Sequence, residues 1–271
     1  IITYYQLITN LSKLGIIQFK ICLLLQHISS KNLNSIIEKL KENNAVKWIV
    51  SCRGNWDLII SLEADSIKEV DSLKNKILTL FLGFIYKKAV SILIDAEVFN
   101  RVYFLDKKSF REGKTILDTS QKIKIDEIDL RILKKLSENA RKPIVELASE
   151  LKLSIRTISY RIKQLIKNKL ISGFKIAIDY QKLGILFFKC FIYLDNLKEE
   201  REKQLIDYLK NHPNAIHYVK VLGNWDLEPE FEVYSEEEFN SIIKEINDKF
   251  SDIIKSIEII TILKEHKFVY F

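Results

Sequence analysis

The chain has 271 residues, 43 Lys or Arg against 36 Asp or Glu, and 47% apolar residues, an ordinary globular balance with a net charge of +7 and length enough for two or three cores. No uncharged apolar run reaches membrane-spanning length and no secretory leader is visible, which excludes a helical membrane protein and points to a reducing cytoplasm. Cys22, Cys52 and Cys190 stand too far apart for a zinc knuckle or redox pair and the four histidines have no ligand spacing, so no metal and no cofactor is expected, and Cys22 and Cys190 read as buried thiols.

Residues 16–26 read as a strand, with Phe19, Ile21, Leu23 and Leu25 on one face and Lys20, Cys22 and Leu24 on the other. Residues 30–42 read as a helix with Leu33, Ile36, Ile37 and Leu40 inward. A hairpin follows, 45–53 and 56–63, turning at Gly54-Asn55. Then come a helix over 66–80 and a final strand and tail over 84–104. Residues 105–121 are polar and charged, the composition of a linker, with a short ordered piece at 115–117.

The next segment is basic. From 116 to 175 there are 14 Lys or Arg and 7 Asp or Glu, so the whole net charge of the chain falls there. A local basic module reads as a nucleic-acid contact rather than as general solubility. Ile128, Ile132, Leu133 and Leu136 recur at helical spacing behind Asp126, which can cap. Residues 139–142 break the pattern and Pro143 restarts it at a first helical position, where its missing N–H costs nothing. Leu147, Ala148 and Leu151 form a second short apolar face. Residues 152–154 turn into a helix with apolar Ile155, Ile158, Ile162, Leu165 and Ile166. From 152 to 175 there are seven Lys or Arg and no acid. Ser154 can cap this helix. Arg156, Thr157, Ser159, Tyr160, Arg161 and Lys163 lie off the apolar stripe, hydroxyls and guanidinium groups for base edges and charge for phosphates. A charged helix face is more often merely solvated; the two helices in front of it make the layout a helix-turn-helix.

The remainder, 176–271, repeats the beginning. Gly54-Asn55-Trp56-Asp57 returns as Gly223-Asn224-Trp225-Asp226, 169 residues on, and Phe19-Lys20 returns as Phe188-Lys189. Val102-Tyr103-Phe104 matches Val269-Tyr270-Phe271 with the offset shortened by two. Strand, helix, strand, strand, helix, strand in each copy is the ferredoxin-like order, and internal duplication is the main architectural fact. Two helices cover one face of such a sheet; a second like sheet is the natural cover for the other.

The runs IDEIDLRIL, ENAR, VELASEL, LSIRTISYRIKQL and LISGF, with Lys182-Leu183-Gly184 beyond, resemble the DNA-binding half of the Lrp/AsnC (leucine-responsive, feast/famine) transcription regulators. The sequence departs from that pattern at Ile155, where the family usually has Pro. The resemblance implies a βαββαβ module after the helix-turn-helix, pairing through its sheet and in many members binding an amino acid or related molecule. The expected architecture is α+β: a ferredoxin-like module (1–104), a linker (105–121), a winged-helix-like helix-turn-helix domain (122–175) and a second ferredoxin-like module (176–271). Expected partners are double-stranded DNA, a small amino-acid effector and self-association through the modules, within a chain or between chains. Ser154, Arg156, Thr157, Ser159 and Tyr160 are the candidates for base edges, and Arg161, Lys163 and Lys167 for phosphates.

Gly54, Asn55 and Asp57, with Gly223, Asn224 and Asp226, are the candidate ligand-binding residues. The turn can expose backbone N–H groups to a carboxylate while the Asp pairs with an ammonium group. The plainer alternative is that Gly and Asn make the turn, Trp packs and Asp caps. The copies also differ: Glu228, Glu230 and Glu232 replace Ile59, Ser61 and Glu63, putting three carboxylates on one face. Solvent exposure is the first expectation for them, a charge-specified contact with the first module the alternative, and Lys189 alongside could neutralise part of the face. Pro229 argues for an edge, bulge or break. No phosphate loop, paired-histidine motif or activated nucleophile is present, so no enzyme is expected; effector-binding or oligomerisation alone, and non-specific chromatin-like DNA binding, stay open as alternatives. By the repeat offset Ile1 corresponds to Leu170, and the chain contains no Met. The expectation is a tandem parent whose first helix-turn-helix precedes Ile1.

Overall fold

The computed structural model describes residues 1–104, 111–118, 122–195, 198–269 and 271. The first strand, β1 (Ile2–Thr9), leads into the first module: β2 (Ile17–Leu25), α1 (Ser30–Glu42), β3 (Val46–Gly54), β4 (Leu58–Ala64), α2 (Ile67–Leu80) and β5 (Ile85–Phe99). A short strand, β6 (Gly113–Leu117), pairs with β5; most of the expected linker lies outside the described residues. The helix-turn-helix is α3 (Glu127–Glu138), α4 (Ile144–Leu151) and α5 (Ile155–Lys167), followed by β7 (Ile171–Ile178). The second module is β8 (Leu186–Leu194), α6 (Glu199–Asn211), β9 (Ala215–Leu222), β10 (Glu230–Val233), α7 (Glu236–Phe250) and β11 (Ile254–Phe268).

Both modules are ferredoxin-like, with strand orders β5-β2-β4-β3 and β11-β8-β10-β9. They join through their edges. β3 pairs with β11 and β9 pairs with β5, so that eight strands form a closed ring and leave no free edge in it. Alternation along the strands then separates two environments. Phe19, Ile21 and Leu23 point outward beneath α1 and α2, while α6 and α7 cover the matching face of the second module. Cys22, Trp48, Val50, Phe191 and Val219 point into a core shared by both modules. All three thiols are buried and unpaired.

The glutamate face is not exposed. Glu228, Glu230 and Glu232 are 0%, 2% and 0% exposed, because closing the ring turns their strand face inward. The contact with the first module holds instead. Lys20 Nζ lies 2.5 Å from Glu228, which Lys189 also meets at 2.6 Å; Lys189 reaches Glu230 as well at 2.9 Å. Arg101 pairs in bidentate fashion with Glu232 at 2.6 and 2.9 Å. Pro229 breaks its strand as its missing N–H requires, leaving β10 only four residues long with an isolated bridge at Leu227.

Each Gly-Asn-Trp-Asp turn rides over the last strand of the opposite module. A Cβ on Gly54, which has φ +133°, would lie 2.7 Å from the Ile259 carbonyl oxygen; one on Gly223 would lie 2.8 Å from Ser91 Cβ. Glycine is needed at both for close approach, and at Gly54 also for the backbone angle. The two tryptophans, 0% and 2% exposed, meet in the shared core with ring centroids 6.0 Å apart.

Candidate nucleic-acid interface and inter-module cavity

The helix-turn-helix has its own core, in which Ile132, Leu133, Leu147, Leu151, Ile158 and Leu165 pack with Leu7, Leu11 and Leu170. Asp126 caps α3 through the Asp129 N–H at 3.0 Å, and Ser154 caps α5 through the Thr157 N–H at 3.0 Å. Pro143 sits at the cap of α4, one residue before the helix proper, and Lys152 closes it with φ +55°. The buried stripe of α5 is narrower than the spacing implies: Ile155 and Ile166 are 52% and 45% exposed, since the domain core reaches only Ile158, Leu165 and part of Ile162.

The other face of α5 stands in solvent. Arg156, Tyr160, Lys163 and Lys167 are exposed, and Thr157 and Ser159 are half-buried beside them. Ser154 and Thr157 spend their hydroxyls on each other and on the cap, 2.8 Å apart. Arg161 is placed differently from its neighbours. Its Nη1 lies 2.6 Å from Asp126 and 3.4 Å from Asp129, so it ties α5 to the start of α3 and its charge is largely matched within the domain.

The turn residues proposed for a ligand sit elsewhere. The Asp57 carboxylate accepts the Leu25 N–H at 2.7 Å, and Asp226 accepts the Leu194 N–H at 2.8 Å. The structure therefore brings Gly54, Asn55 and Asp57 and their counterparts to the seam between modules, with each aspartate already holding a strand. Neither turn lines the large cavity of the molecule.

That cavity, about 720 Å³, lies between the strand ring and the β1–β7 ribbon, which is antiparallel with Gln6 opposite Lys175. Tyr4, Gln6 and Lys175 form its roof. Trp48 and Ser61 from the first module and His217, Glu230 and Glu232 from the second line the wall below. Lys175 Nζ is 3.4 Å from His217 Nε2, and His217 Nδ1 is 2.9 Å from Glu230. Burial, only partly opposed by Glu230, pushes the His217 ring toward its neutral form. Burial also lowers Lys175, with Arg101 adding to it, to about 8. Burial by itself would raise Glu228, but Lys189 and Lys20 outweigh it and hold the carboxyl at about 2. Sequence reading missed His217, Lys175, Gln6 and Arg101. The signal that points to the first three is the repeat itself: Trp48 and His217, Ser61 and Glu230, and Gln6 and Lys175 are equivalent positions that differ, and they face one space.

Among the described residues no group of three or more His, Cys, Asp or Glu is placed to hold a metal, and no helix is long and apolar enough to cross a membrane.

The AsnC-type helix-turn-helix domain family matches residues 125–166. An uncharacterized HTH-type transcriptional regulator of Pyrococcus horikoshii is 30% identical over 121 residues, which cover 44% of this chain and 80% of that protein. The HTH-type transcriptional regulator Ptr1 of Methanocaldococcus jannaschii is 31% identical over 103 residues, 38% of this chain and 68% of that one. A solved structure of the siroheme decarboxylase NirDL, in co-complex with an iron-uroporphyrin III analogue, superposes with a TM-score of 0.64 over 99% of this chain and 78% of that one. At 12% identity that likeness is one of fold. The capped three-helix domain, the βαββαβ modules and the identity to these regulators lead to one conclusion: the chain belongs to the Lrp/AsnC family.

Proposed function

We propose that the chain is a sequence-specific, DNA-binding transcriptional regulator answering to a small effector. The observation that carries this is the outer face of α5, where Arg156, Tyr160, Lys163 and Lys167 stand exposed on a helix of the right layout, covered by neither module. Arg156 and Tyr160 supply base contacts, and Lys163 and Lys167 neutralise phosphates. The pairing that like modules need is met within one chain, through β3–β11 and β9–β5. Selection on fragmented genomic DNA tests the reading: enrichment of a defined site supports it, and uniform weak binding with a steep salt slope rejects specificity.

A second reading is favoured by the cavity. A space of about 720 Å³ is in the range of cofactor-sized sites and larger than a single amino acid needs. A protein that shares the fold over nearly the whole chain is a siroheme decarboxylase solved with an iron-uroporphyrin III analogue. In this reading the cavity takes a tetrapyrrole carboxylate, with Lys175, Arg101 and His217 as the polar groups nearest to it. Mixing the chain with siroheme and following the absorption spectrum and carbon dioxide release tests it; an unchanged spectrum rejects it.

A further inference from the structure

Three of the polar residues that α5 could offer to DNA are already committed inside the domain. The Ser154 and Thr157 hydroxyls lie 2.8 Å apart, and Ser154 also accepts the Thr157 N–H at 3.0 Å, so both serve the cap. Arg161 is drawn to Asp126 at 2.6 Å and to Asp129 at 3.4 Å at the start of α3. The rest of the solvent side sorts into two rows. At 3.6 residues per turn Arg156, Tyr160, Lys163 and Lys167 fall within about 60° of one another and form a cationic and aromatic row. Ile155, Ser159 and Ile166 fall within about 40° of one another and form an uncharged row beside it. The two isoleucines of that row are 52% and 45% exposed.

Ile155 is the first residue of α5, directly after the Ser154 cap. The domain core takes Ile158 and Leu165, and Ile162 in part, and does not include Ile155. Folding therefore gains little from its side chain: it is half in solvent, and a β-branched residue is a weaker helix former than many polar ones. In a helix-turn-helix the first residues of the second helix are the ones that reach base edges. With α5 entering the groove by that end, Ile155 and Arg156 lie deepest. Lys163 and Lys167, about two and three turns further along, meet phosphates at the edge. The tip of the helix thus offers one guanidinium and one aliphatic group side by side.

These two groups ask for different bases. The guanidinium matches guanine O6 and N7. Isoleucine has neither donor nor acceptor. Of the four bases only thymine carries an apolar group in the major groove, its C5 methyl. Over guanine, adenine or cytosine the side chain would cover polar edge atoms without replacing their hydrogen bonds to water.

Resting on the DNA-binding reading above, we propose that Ile155 is a specificity-determining residue: it seats on the C5 methyl of a thymine beside the base pair read by Arg156. The recognised site therefore carries a thymine at one fixed step from a guanine. The contact adds no charge, so the salt dependence of binding stays with the cationic row.

The test uses the full chain. Selection on fragmented genomic DNA with wild type and with Ile155→Ala is expected to return one motif, except at a single thymine whose preference the variant loses. On a synthetic duplex of the enriched site, deoxyuridine in place of that thymine removes the methyl and nothing else. Wild-type affinity is expected to fall about fourfold, the factor for about 0.8 kcal/mol per buried methyl-sized group, and the affinity of Ile155→Ala to stay unchanged. With cytosine at the same position, 5-methylcytosine is expected to recover affinity for wild type only. Salt slopes and thermal melting of the two proteins are expected to match, which separates lost readout from lost charge or lost fold. A thymine preference that survives Ile155→Ala, deoxyuridine that weakens both proteins equally, or a site in which no thymine methyl matters would overturn the proposal while leaving the regulator reading in place. Failure of wild type to enrich any site would reject the DNA-binding reading, and this role with it.

Discussion

Replacing Glu228 by the residue its own repeat uses, Ile59, is a direct test of what holds the two modules together. Glu228 is fully buried and serves three groups: Lys20 at 2.5 Å, Lys189 at 2.6 Å and the Trp225 indole N–H at 2.8 Å. Glu228→Ile leaves Lys189 with Glu230, but strips Lys20, 4% exposed, of its partner. Breaking one side of a buried pair costs about 3–5 kcal/mol, and orphaning an indole N–H adds about 1–3 kcal/mol. Lys20→Met combined with Glu228→Ile removes both charges and should recover all but the indole term, leaving a deficit of about 1–3 kcal/mol. The fold already tolerates that remaining defect once, because Trp56 Nε1, the equivalent atom of the first copy, has no hydrogen-bond partner among the described residues. The assay is guanidinium unfolding at neutral pH for wild type, both single variants and the double. A coupling of at least about 2 kcal/mol is expected from the cycle. A loss below about 1 kcal/mol for Glu228→Ile, or single-variant costs that simply add, would refute the claim that a buried charge pair pins one module to the other.

The same carboxyl sets an acid limit. Its folded pKa of about 2 lies below the ordinary value of 4.5, so its contribution is complete above pH 4.5 and is lost as pH falls toward 2; Glu228→Ile should flatten stability across that window. Lys175 works with the opposite sign. Held at about 8 against an ordinary 10.5, it costs the folded state most below pH 8, so Lys175→Met should stabilise the chain at neutral pH by on the order of 1–3 kcal/mol, with the gain vanishing by pH 10.5 in thermal melts across pH. On α5, Lys163→Ala and Lys167→Ala should each lower the salt slope of DNA binding by about 1, Arg156→Ala should relax specificity, and Arg161→Ala should change the slope less because Asp126 and Asp129 already hold it. Gly54→Ala should destabilise the seam more than Gly223→Ala, since Gly54 alone combines the 2.7 Å backbone approach with φ +133°; equal melting shifts would contradict this.

Much of the fold is legible in the amino-acid order because it rests on local rules. Periodicity places α1 over Ser30–Glu42 and α6 over Glu199–Asn211, with bounds set by Ser29 at one start and by acids in the first turn at the other. Alternation along β2 separates Phe19, Ile21 and Leu23 from Lys20 and Cys22 correctly, and the repeat announces two like modules. The basic face of α5 follows from spacing and charge alone. Local rules stop at which face of the ring each strand shows and what meets there. Glu228, Glu230 and Glu232 look like a solvated face until β9 and β11 pair across the seam and turn them inward toward Lys189, Lys20 and Arg101. The Gly-Asn-Trp-Asp turns are legible as turns, but that their aspartates accept the Leu25 and Leu194 N–H groups depends on strand packing. The cavity is assembled from residues as distant in sequence as Tyr4 and Phe268, so its existence and contents depend on long-range pairing that no window along the chain contains.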